Sequence, residues 1–206
     1  MIIKCFKEMI NKIYNIVSHS KLQNYALICI CILAIAYPIE SKSMPDVSKA
    51  FGDVEFQTTQ LKPLKLNSFE GKVIVLFFGY THCPDICPTA LLDISKTLKE
   101  LGRDAARVQP IFISVDYKRD KPEILEQYVK FFDERIIGLS SNKLNIDKIS
   151  KYFKINYSLL DSQSENYLVE HSSNLYVIDK DLIVKKIIPN GLPSTEITKA
   201  IKKLIN

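Results

Sequence analysis

Histidine is scarce in this chain: 206 residues contain three, His19, His82 and His171. Any site built on imidazole has few ways to assemble. Cysteine is sparse too. Of the five, Cys5 lies in the first 24 residues and Cys29 and Cys31 lie in an apolar run, so only Cys83 and Cys87 belong to the body of the chain. Excess charge of one sign is also missing there. Residues 1–39 hold four of the 28 basic and one of the 23 acidic residues, which accounts for +3 of the formal +5. The remainder, at +2, has no electrostatic footprint for nucleic acid, and that partner class is set aside. Internal repeats and low-complexity segments are absent, which leaves one domain of ordinary size plus an N-terminal appendage.

The appendage carries the long hydrophobic run. Residues 25–39 are free of charge, with Pro38 near the end, and Lys4, Lys7, Lys12 and Lys21 precede them against a single acid, Glu8. A membrane span takes about 20 apolar residues, so this run is short unless Leu22, Gln23 and Asn24 are drawn in. A cleaved signal peptide ending near Ala34-Ile35-Ala36 is the competing reading. The 24-residue region before the run is long for a signal peptide, and an uncleaved, single-pass transmembrane helix is the expectation. Either way the lysine bias keeps residues 1–24 cytoplasmic and sends the rest across the membrane. Lysine rather than arginine dominates the tail, which points to a bacterial inner membrane with the domain in the periplasm; in a eukaryote the compartment is the mitochondrial intermembrane space. In the apolar run Cys29 and Cys31 read as small apolar side chains.

The domain follows. Residues 40–50 are polar and irregular and read as a linker to a domain over 51–206. Residues 51–66 alternate loosely, as in a hairpin with Val54, Phe56, Leu61, Leu64 and Leu66 inward. Residues 73–78 are apolar on both faces, as in a strand covered on both sides. A helix opens with Pro88 at its first position. A second buried strand covers 110–115, and Lys121-Pro122 opens another helix. A short strand over 136–139 and a helix through Leu144, Ile146, Ile149, Tyr152 and Phe153 come next. Residues 156–169 are polar and poorly periodic, an insertion or mobile loop closed by His171. Strands over 174–178 and 182–188 and a helix from Ser194 to Leu204 complete the chain. The order predicts an α/β fold with a mixed central sheet flanked by helices.

The chemistry concentrates in Gly79-Tyr80-Thr81-His82-Cys83-Pro84-Asp85-Ile86-Cys87-Pro88. Two thiols four residues apart sit at a strand-to-helix turn, where the positive end of the helix dipole favours thiolate. Such a pair at the end of the first buried strand fits a thioredoxin-like arrangement. A thiolate is the nucleophile of disulfide exchange and also a soft metal ligand. Redox pairs usually have two intervening residues and here there are three, which makes a shared metal more natural without abolishing disulfide formation. A structural disulfide is the plain alternative, but closing so short a loop adds little stability.

His19 is a tail residue. His82, adjacent to Cys83, reads as a surface group or as one that supports the ligands. His171, 84 residues beyond Cys87, is by itself an ordinary surface histidine, yet it is the one remaining imidazole on the far side of the membrane. Two thiolates and one imidazole do not make a closed zinc site, which takes four ligands. They suit Cu(I), or Cu(II) with an added oxygen ligand. Asp85 reads as a turn residue, and Asp116 either caps a strand end or orients ligands.

Three motifs in order, residues 77–88, Ile113-Ser114-Val115-Asp116 with Arg119-Asp120, and Glu170-His171-Ser172-Ser173, resemble the Sco/SenC family over roughly residues 50–205. The resemblance implies a membrane-anchored, thioredoxin-like protein that binds one copper ion through Cys83, Cys87 and His171. It implies a metallochaperone that assists assembly of the binuclear copper centre of cytochrome c oxidase subunit II, with other periplasmic copper carriers as further partners. Tyr117, where a proline is common, and Glu170, where aspartate is usual, depart from the pattern without touching a ligand. The alternatives are a thiol–disulfide oxidoreductase that reduces the oxidase cysteines through Cys83 and Cys87, or a redox or copper sensor. A peroxidase, which wants one activated cysteine, fits least.

Overall fold

Six consecutive apolar residues at 73–78 are at the centre of the architecture. In the computed structural model, which describes residues 47–59, 63–161, 163–164 and 166–205, they form strand β1 (Val73–Gly79), buried along its whole length. The expected tail at 1–24, the expected anchor at 25–39 and most of the expected linker lie outside the described residues. Among the described residues no helix is long and apolar enough to cross a membrane.

Helix α1 (Ser48–Asp53) leads into the domain. It replaces the end of the expected linker and the start of the expected hairpin. Val47, Ala50 and Phe51 are buried, so the hydrophobic effect recruits this segment to the core despite its polar composition. Of the hairpin itself one antiparallel bridge remains, Phe56 with Leu64. Val54, Phe56 and Leu66 are buried as expected, Leu64 packs on the core from its edge, and Leu61 is outside the described residues.

After β1 come α2 (Ile86–Leu101), β2 (Val108–Ser114), α3 (Pro122–Phe132), β3 (Ile137–Leu139) and α4 (Lys143–Phe153). Then β4 (Tyr157–Leu160) and β5 (Leu168–His171) make a separate two-stranded sheet, and β6 (Leu175–Ile178), β7 (Val184–Ile188) and α5 (Ser194–Ile205) close the fold. The main sheet has the order β3-β2-β1-β6-β7. β3, β2 and β1 run parallel, while β6 is antiparallel to β1 and β7 to β6. The sheet is therefore mixed and helices flank it, as the alternating pattern implied.

Two corrections bear on the site. Helix α2 starts at Ile86, with Asp85 at the N-cap, rather than at Pro88. Proline is tolerated there because amides of the first turn have no intrahelical acceptor to lose. Cys87 consequently lies inside the first turn. The stretch 156–169, expected as a loop, is mostly the β4–β5 hairpin, with Tyr157 opposite His171 and Leu160 opposite Leu168. Its strands are four residues each, too short for their alternation to stand out beside a polar turn.

Topology then sets the position of the site. Parallel β1 and β2 end on the same edge of the sheet, and antiparallel β6 begins there, with Leu175 paired to Phe77. Ligand sites in open α/β sheets form beyond such strand ends. His171, four residues before Leu175, is delivered to the edge that Gly79 and the cysteine loop occupy.

Candidate metal centre

The cysteine loop is shaped by hydrogen bonds at both ends. The Gly79 carbonyl accepts the Val115 N–H at 2.9 Å, and the Cys83 N–H donates to the Tyr80 carbonyl at 3.3 Å. Asp120, buried, accepts the Thr81 N–H at 2.9 Å, the Thr81 hydroxyl at 2.6 Å and the Ser114 hydroxyl at 2.6 Å. Burial raises the Asp120 carboxyl pKa, against the lowering effect of the Ser114 and Thr81 bonds. One carboxylate thus ties the loop after β1 to the end of β2.

Gly79 is needed for space rather than for backbone freedom. A Cβ there would lie 2.7 Å from both the Cys87 sulfur and the Phe112 ring. The backbone of β1 passes directly beneath the inner thiol.

Cys83 is half-buried and Cys87 fully buried, and no disulfide joins them. The Cys87 N–H, in the first turn of α2, donates to the Cys83 sulfur at 3.4 Å. Hydrogen bonding from Cys87 is the main reason the Cys83 thiol pKa falls to about 5; burial opposes it, and the Asp85 and Cys87 amides assist. The hydrogen bond with Cys83, followed by burial, drives the Cys87 pKa upward. The metal-free pair therefore holds an outer thiolate and an inner thiol sharing one proton between them.

His171 ends β5. Its Nδ1 lies 3.0 Å from the Ser172 carbonyl, an acceptor only, so that nitrogen carries the ring proton and Nε2 presents its lone pair. Nε2 stands 3.5 Å from the Cys87 sulfur. Phe77 and Tyr80 meet the imidazole edge-on, with ring centroids 6.3 and 5.9 Å away.

The donor atoms of Cys83, Cys87 and His171 all lie within 4.8 Å of one another. Metal–sulfur bonds of about 2.3 Å and metal–nitrogen bonds of about 2.0 Å, arranged trigonally, separate donors by roughly 3.7–4.0 Å. The three fit one soft ion with little adjustment. Among the described residues no further His, Cys, Asp or Glu joins the group.

The other candidates fall elsewhere. His82 is exposed, with its Nδ1 3.0 Å from the Thr81 hydroxyl, and is not in the donor group. His19 is outside the described residues. Asp85 makes no side-chain cap, and its carbonyl accepts from Thr89. Asp116 is fully buried and holds Arg119 and Tyr167. Glu170 is exposed and faces Ser158 across the hairpin. Sequence reasoning missed Phe77 and Tyr80 around the histidine, and Tyr167, which Asp116 and Arg119 hold. The signal for Tyr167 was its period-two spacing from Val169 and His171, hidden while the segment read as a loop.

Comparison with known proteins agrees with this geometry. A family model described as SCO1/SenC matches residues 42–206. A SCO2-like protein of Rickettsia prowazekii is 38% identical over 117 residues, 56% of this chain and 57% of that protein. This chain covers less than two thirds of the length of such relatives, 57% to 66%. The structure of Bradyrhizobium japonicum ScoI with copper bound superposes with a TM-score of 0.67 at 32% identity, over 73% of this chain and 96% of that one. The structure of BsSco, a member of the Sco family of cytochrome c oxidase assembly proteins with a disulfide switch, superposes with a TM-score of 0.58 at 25% identity, over 74% and 91%. Site, sheet and sequence agree, and the chain belongs to the SCO1/SenC family.

Proposed function

We propose that the protein is a copper carrier that binds one ion through Cys83, Cys87 and His171 and passes it to the copper-free subunit II of cytochrome c oxidase. The convergence of two sulfurs and one imidazole nitrogen within 4.8 Å carries this reading. The copper-bound relative from Bradyrhizobium japonicum supports it. Two thiolates and one imidazole match the preference of Cu(I) for soft ligands at low coordination number. Transfer by ligand exchange needs a site that is held but not closed. Here Cys83 is half-exposed and Cys87 buried, so an incoming sulfur ligand reaches the metal from the Cys83 side. The compartment that fits is the outer side of a bacterial inner membrane, with the run at 25–39 as anchor; the eukaryotic relatives are mitochondrial proteins.

A second reading has its own observation. An outer thiolate beside a buried thiol is also the arrangement of an attacking and a resolving cysteine, and it supports a reductase acting on the oxidase cysteines. His171→Ala separates the two. A carrier loses copper transfer to an apo subunit II fragment, whereas a reductase keeps thiol–disulfide exchange at the wild-type rate. Full transfer by the variant contradicts the carrier.

A further inference from the structure

The hairpin that carries His171 is fastened by a second cluster outside the donor group. β4 and β5 pair with each other and with no strand of the main sheet, so no ladder of backbone bonds holds them to it. An isolated two-stranded hairpin is marginal in water, and side chains must keep this one docked. Val169 and His171 share one face of β5 by its period-two geometry, and Tyr167, the residue before the strand, continues their spacing. Tyr167 and Val169 are 6% and 5% exposed.

The Tyr167 hydroxyl donates to Asp116 Oδ1. Asp116 is fully buried just past β2, and its Oδ2 accepts Arg119 Nε at 2.6 Å. Its Oδ1 also accepts the N–H groups of Lys118 and Arg119 at 3.3 and 3.2 Å. The Arg119 guanidinium lies 3.5 Å from the centre of the Tyr167 ring, at cation–π distance. A tyrosine four residues before the histidine is thus gripped by the loop whose next acid, Asp120, ties down the cysteine loop.

We propose that Tyr167 is the positioning residue for His171. Its hydroxyl bond to Asp116, with Arg119 against the ring, keeps the hairpin docked and the imidazole at the thiols. Undocking withdraws the imidazole and leaves copper on two thiolates, the state from which it is handed over. The inference rests on the reading of His171 as the third copper ligand.

Tyr167→Phe keeps the ring against Arg119 and removes only the hydroxyl. Amide hydrogen exchange on the metal-free full chain is the first readout. Deleting a bond to a charged acceptor is expected to speed exchange at Val169, whose N–H donates to Tyr80 at the edge of the main sheet, about 10-fold or more, with the amides of β1 unchanged. The second readout is the His171 ring nitrogen signal of the Cu(I)-loaded variant, expected to divide between bound and free forms while the wild type shows one. Thr198→Val, which removes a hydroxyl bond to Glu100 between α5 and α2, is the control expected to leave the hairpin unaltered. Unchanged hairpin exchange in Tyr167→Phe overturns the proposal. So does acceleration shared equally by β1, or matched by Thr198→Val. A wild type that binds no copper overturns the ligand reading itself, independently of the exchange result.

Discussion

The imidazole nitrogen of His171 and the sulfur of Cys87 are 3.5 Å apart across 84 residues of chain. Cys87 enters in the first turn of α2 and His171 at the end of β5, and an antiparallel β6 brings the second to the edge where the first sits. The donor group is therefore a property of the whole sheet, and perturbing any element at that edge acts on copper.

The outer thiol has a pH signature. Its pKa is lowered to about 5, chiefly by hydrogen bonding from Cys87. A lowered acid pKa keeps the thiolate populated as pH falls, until the folded-state value is reached. Alkylation of the metal-free protein at Cys83 is expected to be flat between pH 8 and pH 6 and half-maximal near pH 5, followed by mass spectrometry with iodoacetamide. Half-maximal reaction near pH 8.5, the ordinary thiol value, contradicts the arrangement.

Gly79→Ala tests the packing under the inner thiol. The added Cβ meets the Cys87 sulfur and the Phe112 ring at 2.7 Å, so β1, α2 or the ring must shift. Overpacking of this kind costs about 1–3 kcal/mol, read from urea denaturation, and Cu(I) affinity falls with it. A variant as stable and as tight as the wild type means that the contact is not there.

Asp120 separates hydrogen bonding from charge. Asp120→Ala strands the Thr81 N–H and the Ser114 hydroxyl in a buried place and is expected to cost about 3 kcal/mol. Asp120→Asn keeps all three bonds, because the Thr81 hydroxyl can turn to accept from the new amide. It is expected to stay within about 1 kcal/mol of the wild type in the same unfolding experiment. Equal losses in the two variants would show that charge, rather than bonding, holds the loop.

Much of this was legible in the chain. The doubly buried strands β1 and β2 announced themselves by unbroken apolar runs; the cysteine spacing pointed to a shared soft metal, and the family resemblance singled out His171, whose donor atom lies within 4.8 Å of both sulfurs. What was not legible depended on packing. α1 hides in polar residues because only Val47, Ala50 and Phe51 face inward. The β4–β5 hairpin hides because its inward face is only Tyr157, Leu159, Tyr167 and Val169, split by a polar turn, and two of these add hydroxyl bonds, to Asp147 and Asp116, that no periodicity shows. Asp116 reads equally as a cap or an orienting group until the tyrosine that reaches it, 51 residues later, is placed.

The central claim is a single copper held by two cysteines and one histidine. An anaerobic Cu(I) titration against a competing chelator tests it most directly, with wild type, Cys83→Ala and His171→Ala run together. The account predicts one tightly bound ion per wild-type chain and a clear loss of affinity in both variants. Binding that ignores His171, or no binding at all, would contradict it and leave thiol–disulfide exchange as the function of the pair.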